Sequence, residues 1–477
     1  MAEAIRRIRM LDVHGDRDGA GLLQVPERFR GNLFRPGDLG YDEGRRIVDK
    51  RFDCRPALIA CCQGVSDVQT ALKIARTNGL EVAVRSGGHG FAGLSTVDGG
   101  LLIDLRSLND VHVDVDRRIA RIRPGALGGD ILLETIPHGL APVGGTRARV
   151  GFGGLAIFNG QGYLAPRYGN AVDHVLAVEV VLANGRVLKA SPTSNEDLFW
   201  AVRGAGDSFG IVTAFDVNLY PVPDDVQVGS FDLDLVTAAE SLTRVHISDA
   251  DFSEDFLWGV KAQKAPSGTA SIVIGYVHVG NVASRRRDVE LLRGLLPAAV
   301  ERSEKMTYLD LHYRSGFTGQ HTFVAGAQIT ALDAPTAAAI VAIANEFAGR
   351  PTPAGSEQSL DFYPVSKGMA RESSPPNSWS VRSGYGFTAR VSYDDPAQEA
   401  EHVSWANNAI NELVSAGLTS GGYNGTAINH VSTWTPDAIR SAYGSGLGTL
   451  LAIKQKYDPD NLFRRSSLGI VIAGGVI

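Results

Sequence analysis

Cysteine, long apolar runs and net charge are all scarce in this sequence, and each scarcity excludes a class of protein. The three cysteines in 477 residues, Cys54, Cys61 and Cys62, are too few for a disulfide framework. Without metal-type spacing around them, they read as reduced, buried thiols. No apolar run approaches the length that spans a bilayer, so no membrane partner is expected. Residues 1–19 are charge-rich and lack the apolar centre of a secretory signal, which makes a cytoplasmic location the default expectation. Lys and Arg (46) nearly balance Asp and Glu (52), giving a formal charge of −6 and no basic footprint for nucleic acid. Internal repeats and low-complexity tracts are also absent. A chain this long exceeds what one hydrophobic core supports, so at least two domains are expected.

What the sequence does have is glycine, 55 residues of it, clustered in separated loops. The first loop, Arg85-Ser86-Gly87-Gly88-His89-Gly90-Phe91, follows a strand-like run and sets a histidine among glycines. Such bare backbone can press against a flat ligand or a pyrophosphate, and an imidazole there can act as ligand, base or nucleophile; taken alone, such a loop is more often a tight turn with a solvated histidine. Further loops follow at Gly144-Gly145-Thr146, Val150-Gly151-Phe152-Gly153-Gly154, Gly160-Gln161-Gly162 and Phe209-Gly210-Ile211-Val212, and the chain nears its end with Tyr457-Asp458-Pro459-Asp460-Asn461-Leu462-Phe463-Arg464. None gives G-x-G-x-x-G directly after a strand with a ribose-binding acid about 20 residues on, so a Rossmann site does not fit. Several separated glycine loops suit an extended dinucleotide threaded between sheets, its phosphates met by backbone N–H groups.

Periodicity gives a strand at 57–60, a helix at 65–77, strands at 81–85, 101–104 and 119–123, a helix at 127–137, and a hairpin of strands 175–182 and 186–190 around Ala183-Asn184-Gly185. Pro221-Val222-Pro223 is the best boundary. Beyond it, strands at 271–277 and 387–393 alternate with amphipathic helices at 283–296, 335–348 and 396–416, which suggests an antiparallel sheet shielded on one face. Residues 357–383 read as a strand and a long polar loop, and 447–456 as a helix.

The ordered set of motifs, over residues 29–464, resembles the berberine-bridge-enzyme-like FAD-linked oxidases of the vanillyl-alcohol-oxidase, or PCMH-type FAD-binding, superfamily. The resemblance implies an α+β fold: a two-subdomain FAD-binding domain at 28–222, a substrate domain at 223–433 whose antiparallel sheet is covered by helices, and a segment at 434–477 returning to the first domain. It implies FAD bonded covalently through His89, with cofactor contacts from Arg85, Ser86, Gly87, Gly88 and Gly90, from Gly145 and Thr146, from Val150, Gly151, Gly153 and Gly154, and from Gly160, Gly162, Gly210, Val212 and Asn461. A neutral imidazole is a competent nucleophile for the flavin 8α position. Val150 falls where the family gates oxygen, although a β-branched core residue explains it equally well.

Three departures stand out. Arg147 occupies the place of a cysteine that attaches a second time to the flavin in many relatives, which excludes a bicovalent link there. Phe158-Asn159-Gly160 replaces a glycine triplet, and Tyr363 replaces an acid before Pro364. In Ser359-Leu360-Asp361-Phe362-Tyr363-Pro364, alternation aims Asp361 and Tyr363 at one face, making them the candidate catalytic pair; a solvated aspartate and a packed tyrosine are the alternative. Either would need its pKa tuned to take an alcohol proton, whereas a neutral amine needs no strong base. Tyr423, Asn424 and Asn429 are weaker pocket candidates, while His312, His321 and His430 lack metal spacing and read as surface or core histidines.

The implied activity is oxidation of an amine- or alcohol-bearing carbon of a small, secondary-metabolite or alkaloid-like molecule, with O2 as acceptor and H2O2 as product. Two alternatives are a dehydrogenase using another acceptor and a non-catalytic protein that sequesters a small molecule.

Overall fold

Three short apolar runs build the wall from which the first glycine loop leaves. In the computed structural model, which describes residues 5–8, 23–26, 29–264, 269–314, 320–349, 356–365, 367–379, 382–418 and 430–474, the strands Leu58–Cys61, Leu101–Asp104 and Val82–Arg85 lie parallel, with Leu58 and Val82 both in register with Leu101. Strand Asn32–Phe34 adds antiparallel at the Leu58–Cys61 edge. Parallel strands need a crossover, and helix Val65–Asn78 supplies it. Its Val68, Ala71, Leu72 and Ala75 follow helical spacing and are buried against Leu58, Leu101 and Ile103. Gly79, at φ 63°, ends the helix in a left-handed cap whose N–H returns to the last carbonyls.

A six-stranded antiparallel sheet stands beside it, centred on the 12-residue strand Gly210–Pro221. Val175–Leu182 and Ile119–Ile122 flank that strand, Val187–Ala190 and Val111–Asp114 form the edges, and Leu140–Pro142 pairs with its far end. The Ala183-Asn184-Gly185 hairpin turns with Gly185 at φ 84°. The expected helix at 127–137 is Gly128–Thr135 followed by a 3₁₀ turn, Ile136–His138; Pro137 has no N–H to continue the α ladder.

The chain leaves this sheet at Pro221 and enters a third one at Val226. The third is a seven-stranded antiparallel sheet in the order Val300–Met306, Val226–Leu233, Ala270–His278, Phe256–Lys264, Glu357–Pro364, Tyr385–Tyr393, His321–Ile329. Helices Ala238–Ile247, Val282–Leu295, Ala334–Gly349 and Glu399–Leu418 cover one face, burying Leu242, Leu292, Ile340 and Leu413 against Phe231, Ile274, Leu360 and Phe387. Alternation sends Ser359, Asp361, Tyr363, Thr388 and Arg390 to the other face.

The last described segment returns to the six-stranded sheet, where Trp434, Tyr443, Leu450 and Ile453 pack with Phe152, Ala156, Val202 and Val212. Lys454, on helix Leu447–Tyr457, is buried and pairs with Asp458 at 2.6 Å. The Asp458 carboxylate also accepts from the N–H groups of Leu462 and Phe463, so one buried charge pair fixes the closing turn. No helix among the described residues is long and apolar enough to cross a membrane.

Candidate active site

The glycines of the first and third loops exist for each other. A Cβ on Gly87 would sit 2.5 Å from the Gly151 nitrogen, and one on Gly151 would sit 2.4 Å from the Gly87 nitrogen. Backbone meets backbone here, and no side chain fits between. Ser86 ties the first loop to the Pro124 carbonyl through a short hydrogen bond, and Gly88 takes φ 69°. Gly90 and Gly154, by contrast, have nothing within 4 Å of where a Cβ would stand, and they leave bare backbone facing open space.

That space is a cavity of about 400 Å³. Ser86, Gly87, Gly88, His89 and Gly90 line it, as do Gly145, Thr146, Val150, Gly151, Gly153, Gly154, Gly160, Gly210 and Val212. Three expected contacts do not reach it. Arg85 is buried below the loop, paired with Asp104 at 2.7 Å and donating to the Arg46 carbonyl. Gly162 packs where a Cβ would lie 2.6 Å from the Gly144 carbonyl oxygen. Asn461 takes φ 48° in the turn that delivers Phe463 to the cavity wall. These three shape the walls rather than form them.

The walls suit a dinucleotide. Their volume falls in the range of cofactor pockets. Arg465 lines the cavity with its buried Nε unpartnered among the described residues, while its terminal nitrogens reach Glu81 at 4.0 Å and the Gly93 carbonyl at 3.3 Å. No group of three His, Cys, Asp or Glu side chains among the described residues is placed to hold a metal ion. His89 is kept below the ordinary histidine pKa by burial, opposed by a backbone hydrogen bond to Arg149 and reinforced by the Arg147 charge. It is therefore neutral near pH 7, the form that can act as a nucleophile.

Asp361 and Tyr363 share the face of strand Glu357–Pro364 that turns away from the helices, but neither lines the cavity. Tyr363 reaches it through His430: the hydroxyl and His430 Nδ1 are 2.6 Å apart, and His430 is a wall residue. Burial pushes the Tyr363 pKa up, with the Asp361 charge adding to it, so the phenol stays protonated and is able to donate to His430. Burial, reinforced by the Arg390 charge, holds His430 down to about 4. His430 is thus not the surface or core histidine expected from sequence. Its isolation in the chain gives no signal, because its partner lies 67 residues away. His312 does fit that expectation, buried with Nδ1 on the Tyr308 carbonyl. Tyr423, Asn424 and Asn429 lie outside the described residues.

Arg147 and Arg390 also line the cavity. In the sequence Arg147 stands out only as a missing cysteine, and Arg390 does not stand out at all. A signal for Arg390 is nonetheless present: it is the lone charge in Tyr385–Tyr393, on the face opposite Phe387, Ala389 and Val391. A second cavity of about 30 Å³, lined by Ile131, Leu132, Phe152 and Tyr308, shares Val150 with the first.

Comparison with known proteins places this architecture. Residues 56–191 match the FAD binding domain family, and residues 427–467 match the family described as berberine and berberine like. (R)-6-hydroxynicotine oxidase of Paenarthrobacter nicotinovorans is 32% identical over 467 residues, covering 93% of this chain and 97% of the relative. Chitooligosaccharide oxidase of Gibberella zeae is 27% identical over 447 residues, covering 90% of each. The crystal structure of 6-hydroxy-D-nicotine oxidase from Arthrobacter nicotinovorans superposes with a TM-score of 0.83 at 31% identity, over 93% of this chain and 98% of that one. Fold, cofactor-domain match and full-length similarity agree: the chain belongs to the berberine-bridge-enzyme-like family of FAD-dependent oxidoreductases.

Proposed function

We propose that this protein is an oxidase that holds FAD through a covalent bond from His89 and removes a hydride from an amine- or alcohol-bearing carbon of a small, secondary-metabolite or alkaloid-like molecule, with O2 reduced to H2O2. The observation that carries the reading is the neutral His89 imidazole in a cavity whose glycine loops meet backbone to backbone. FAD, when bound, supplies the two-electron acceptor and the reaction with oxygen. The relatives are named for oxidation of 6-hydroxynicotine and of chitooligosaccharide, a span that leaves the carbon's substituent open.

The chain's own residues have distinct tasks in this reading. The bare loops around Gly87, Gly151 and Gly153 receive the cofactor, and the unpartnered Nε of Arg465 offers it a donor. Tyr363 donates to His430 Nδ1, which fixes the Nε2–H tautomer and offers the cavity a hydrogen-bond donor that orients the substrate heteroatom. Tyr363 is then a positioning residue, not a base, and Asp361 acts on the site through its charge on Arg147 and Tyr363. Val150 borders both the large cavity and the small one, as Gly145, Arg147 and Leu155 also do, a position from which its side chain would control oxygen entry. The domain partition at 28–222, 223–433 and 434–477 and a cytoplasmic setting, favoured by the free thiols of Cys54, Cys61 and Cys62, belong to the same proposal.

Acid precipitation tests the covalent bond: flavin should remain on the peptide containing His89 and leave it in His89→Ala. Release of all FAD from the wild-type protein into the supernatant would refute it. Peroxide release across a panel of cyclic amines, phenolic alcohols and sugars tests the oxidase; anaerobic bleaching without peroxide in air points to a dehydrogenase, and tight binding without bleaching to a sequestering protein. Val150→Leu should slow reoxidation in air more than flavin reduction by substrate.

A further inference from the structure

Besides Arg465, two further arginines line the cavity, Arg147 before the third glycine loop and Arg390 on the seven-stranded sheet. Arg390 sits on strand Tyr385–Tyr393, opposite Ser359, on the face turned away from the covering helices. It lines the cavity, its guanidinium lies 5.7 Å from the centre of the Phe91 ring, and its Nε is buried with no hydrogen-bond partner among the described residues. No described carboxylate comes within ion-pairing distance of it. The acid one step along the same face, Asp361, instead accepts from Ser359 at 3.0 Å. Arg147 lines the same cavity, near enough that the Arg390 charge weighs on its protonation. His430, beside them in the wall, is neutral at pH 7, and the one carboxyl among the lining residues, Asp207, is tied to Ser467.

Arg390 is half-buried, with its Nε inside the wall and without a hydrogen-bond partner among the described residues, and a planar, two-oxygen anion is the group that satisfies such a fork. Arginine presents a fork suited to carboxylate, and the Phe91 ring lies within cation–π distance of it. We propose that the substrate of this enzyme bears a carboxylate, bound by Arg390 with Arg147 contributing to the field, so that the oxidisable carbon is presented beside His430. The inference rests on the oxidase reading and narrows its substrate to organic acids.

The test uses the flavin-loaded protein and two probes of the same shape, benzoate and benzamide, titrated under anaerobic conditions with the flavin absorbance as the readout. Benzoate should perturb the flavin saturably and bind at least about tenfold more tightly than benzamide. Raised salt should weaken benzoate alone. Arg390→Gln should abolish the preference while leaving benzamide binding and FAD content unchanged, and Arg390→Lys should restore only part of it. Equal binding of the two probes, no perturbation by either, or a preference that survives Arg390→Gln would overturn the proposal. A change of flavin spectrum and reduction potential in Arg390→Gln with the preference intact would assign the arginine to the cofactor instead. Absence of bound flavin from the wild-type protein would sink the oxidase reading itself, a result distinct from any of these.

Discussion

The two sides of the cavity are built from different materials. On the flavin side the wall is backbone: Gly87 against Gly151, Gly153 against the Pro124 carbonyl, and Gly90 and Gly154 left bare. On the opposite side it is side chains, Arg390 and His430, set on a sheet and a closing segment far apart in sequence. A wall made of backbone tolerates no substituent where its loops touch, as at Gly87 and Gly151, and serves whatever shares its cofactor. A wall made of side chains can be exchanged residue by residue, and this is the side on which substrate preference can change without loss of the fold.

If the flavin side depends on rigid closure, its strongest dependence is on the Lys454–Asp458 pair, which fixes the turn carrying Phe463. Asp458→Ala strands a buried ammonium and should cost about 3–5 kcal/mol, read as a lower unfolding temperature together with lower FAD content. A loss confined to stability, with full FAD content in the folded fraction, would show that the closing turn does not shape the flavin wall.

The next effect separates two glycines of one loop. Gly151→Ala forces a methyl onto the Gly87 backbone and should cost about 1–3 kcal/mol with loss of flavin, whereas Gly154→Ala, facing open space, should fold as the wild type does. Denaturant midpoints and FAD stoichiometry of the two variants decide the matter. Equal penalties would mean that the backbone-to-backbone contact is not what these glycines secure.

The same contrast explains what could be read in advance. Glycine is an overt trace of a backbone constraint, so the loops around His89 and Gly151 are legible in the sequence, as are the strands at 57–60, 81–85 and 101–104 and the helix at 65–77, though not their parallel pairing. The strands Val226–Leu233, Phe256–Lys264, Val300–Met306 and His321–Ile329 are not legible. Val300–Met306 is an exposed edge, with Glu301, Ser303 and Lys305 among its residues and little apolar alternation to reveal it. The site suffered in the same way. Asp361 and Tyr363 could be placed on one face by alternation, but that Tyr363 acts through His430 depends on a contact between residues 67 positions apart. Arg85, Gly162 and Asn461 lie in the right loops yet serve their folding, a distinction that motif spacing does not carry.

A smaller effect should appear only on the side-chain wall. His430 is held to about 4 when folded against an ordinary 6.5, so the unfolded chain binds more protons between these values. Stability from this residue is complete above pH 6.5 and falls as pH drops towards 4, by at most about 1.4 kcal/mol per pH unit. His430→Gln keeps an acceptor for Tyr363 and should flatten that part of the curve of unfolding midpoint against pH. Identical slopes in the two proteins would show that His430 is not the group being protonated.

The smallest effect tests whether Tyr363 positions or merely packs. Tyr363→Phe leaves His430 Nδ1 without its donor, which should cost about 1 kcal/mol of stability and free the ring to adopt its other tautomer. If the tautomer orients the substrate, anaerobic flavin reduction should slow for an alcohol, whose proton must leave with the hydride, and change little for an amine already neutral. Asp361→Asn should do the reverse, altering apparent affinity through the field at Arg147 with little change in the limiting rate. A Tyr363→Phe protein that loses only stability, with both limiting rates unchanged, would make the tyrosine part of the sheet's packing. His430 would then be positioned by the shape of the wall and not by this hydrogen bond.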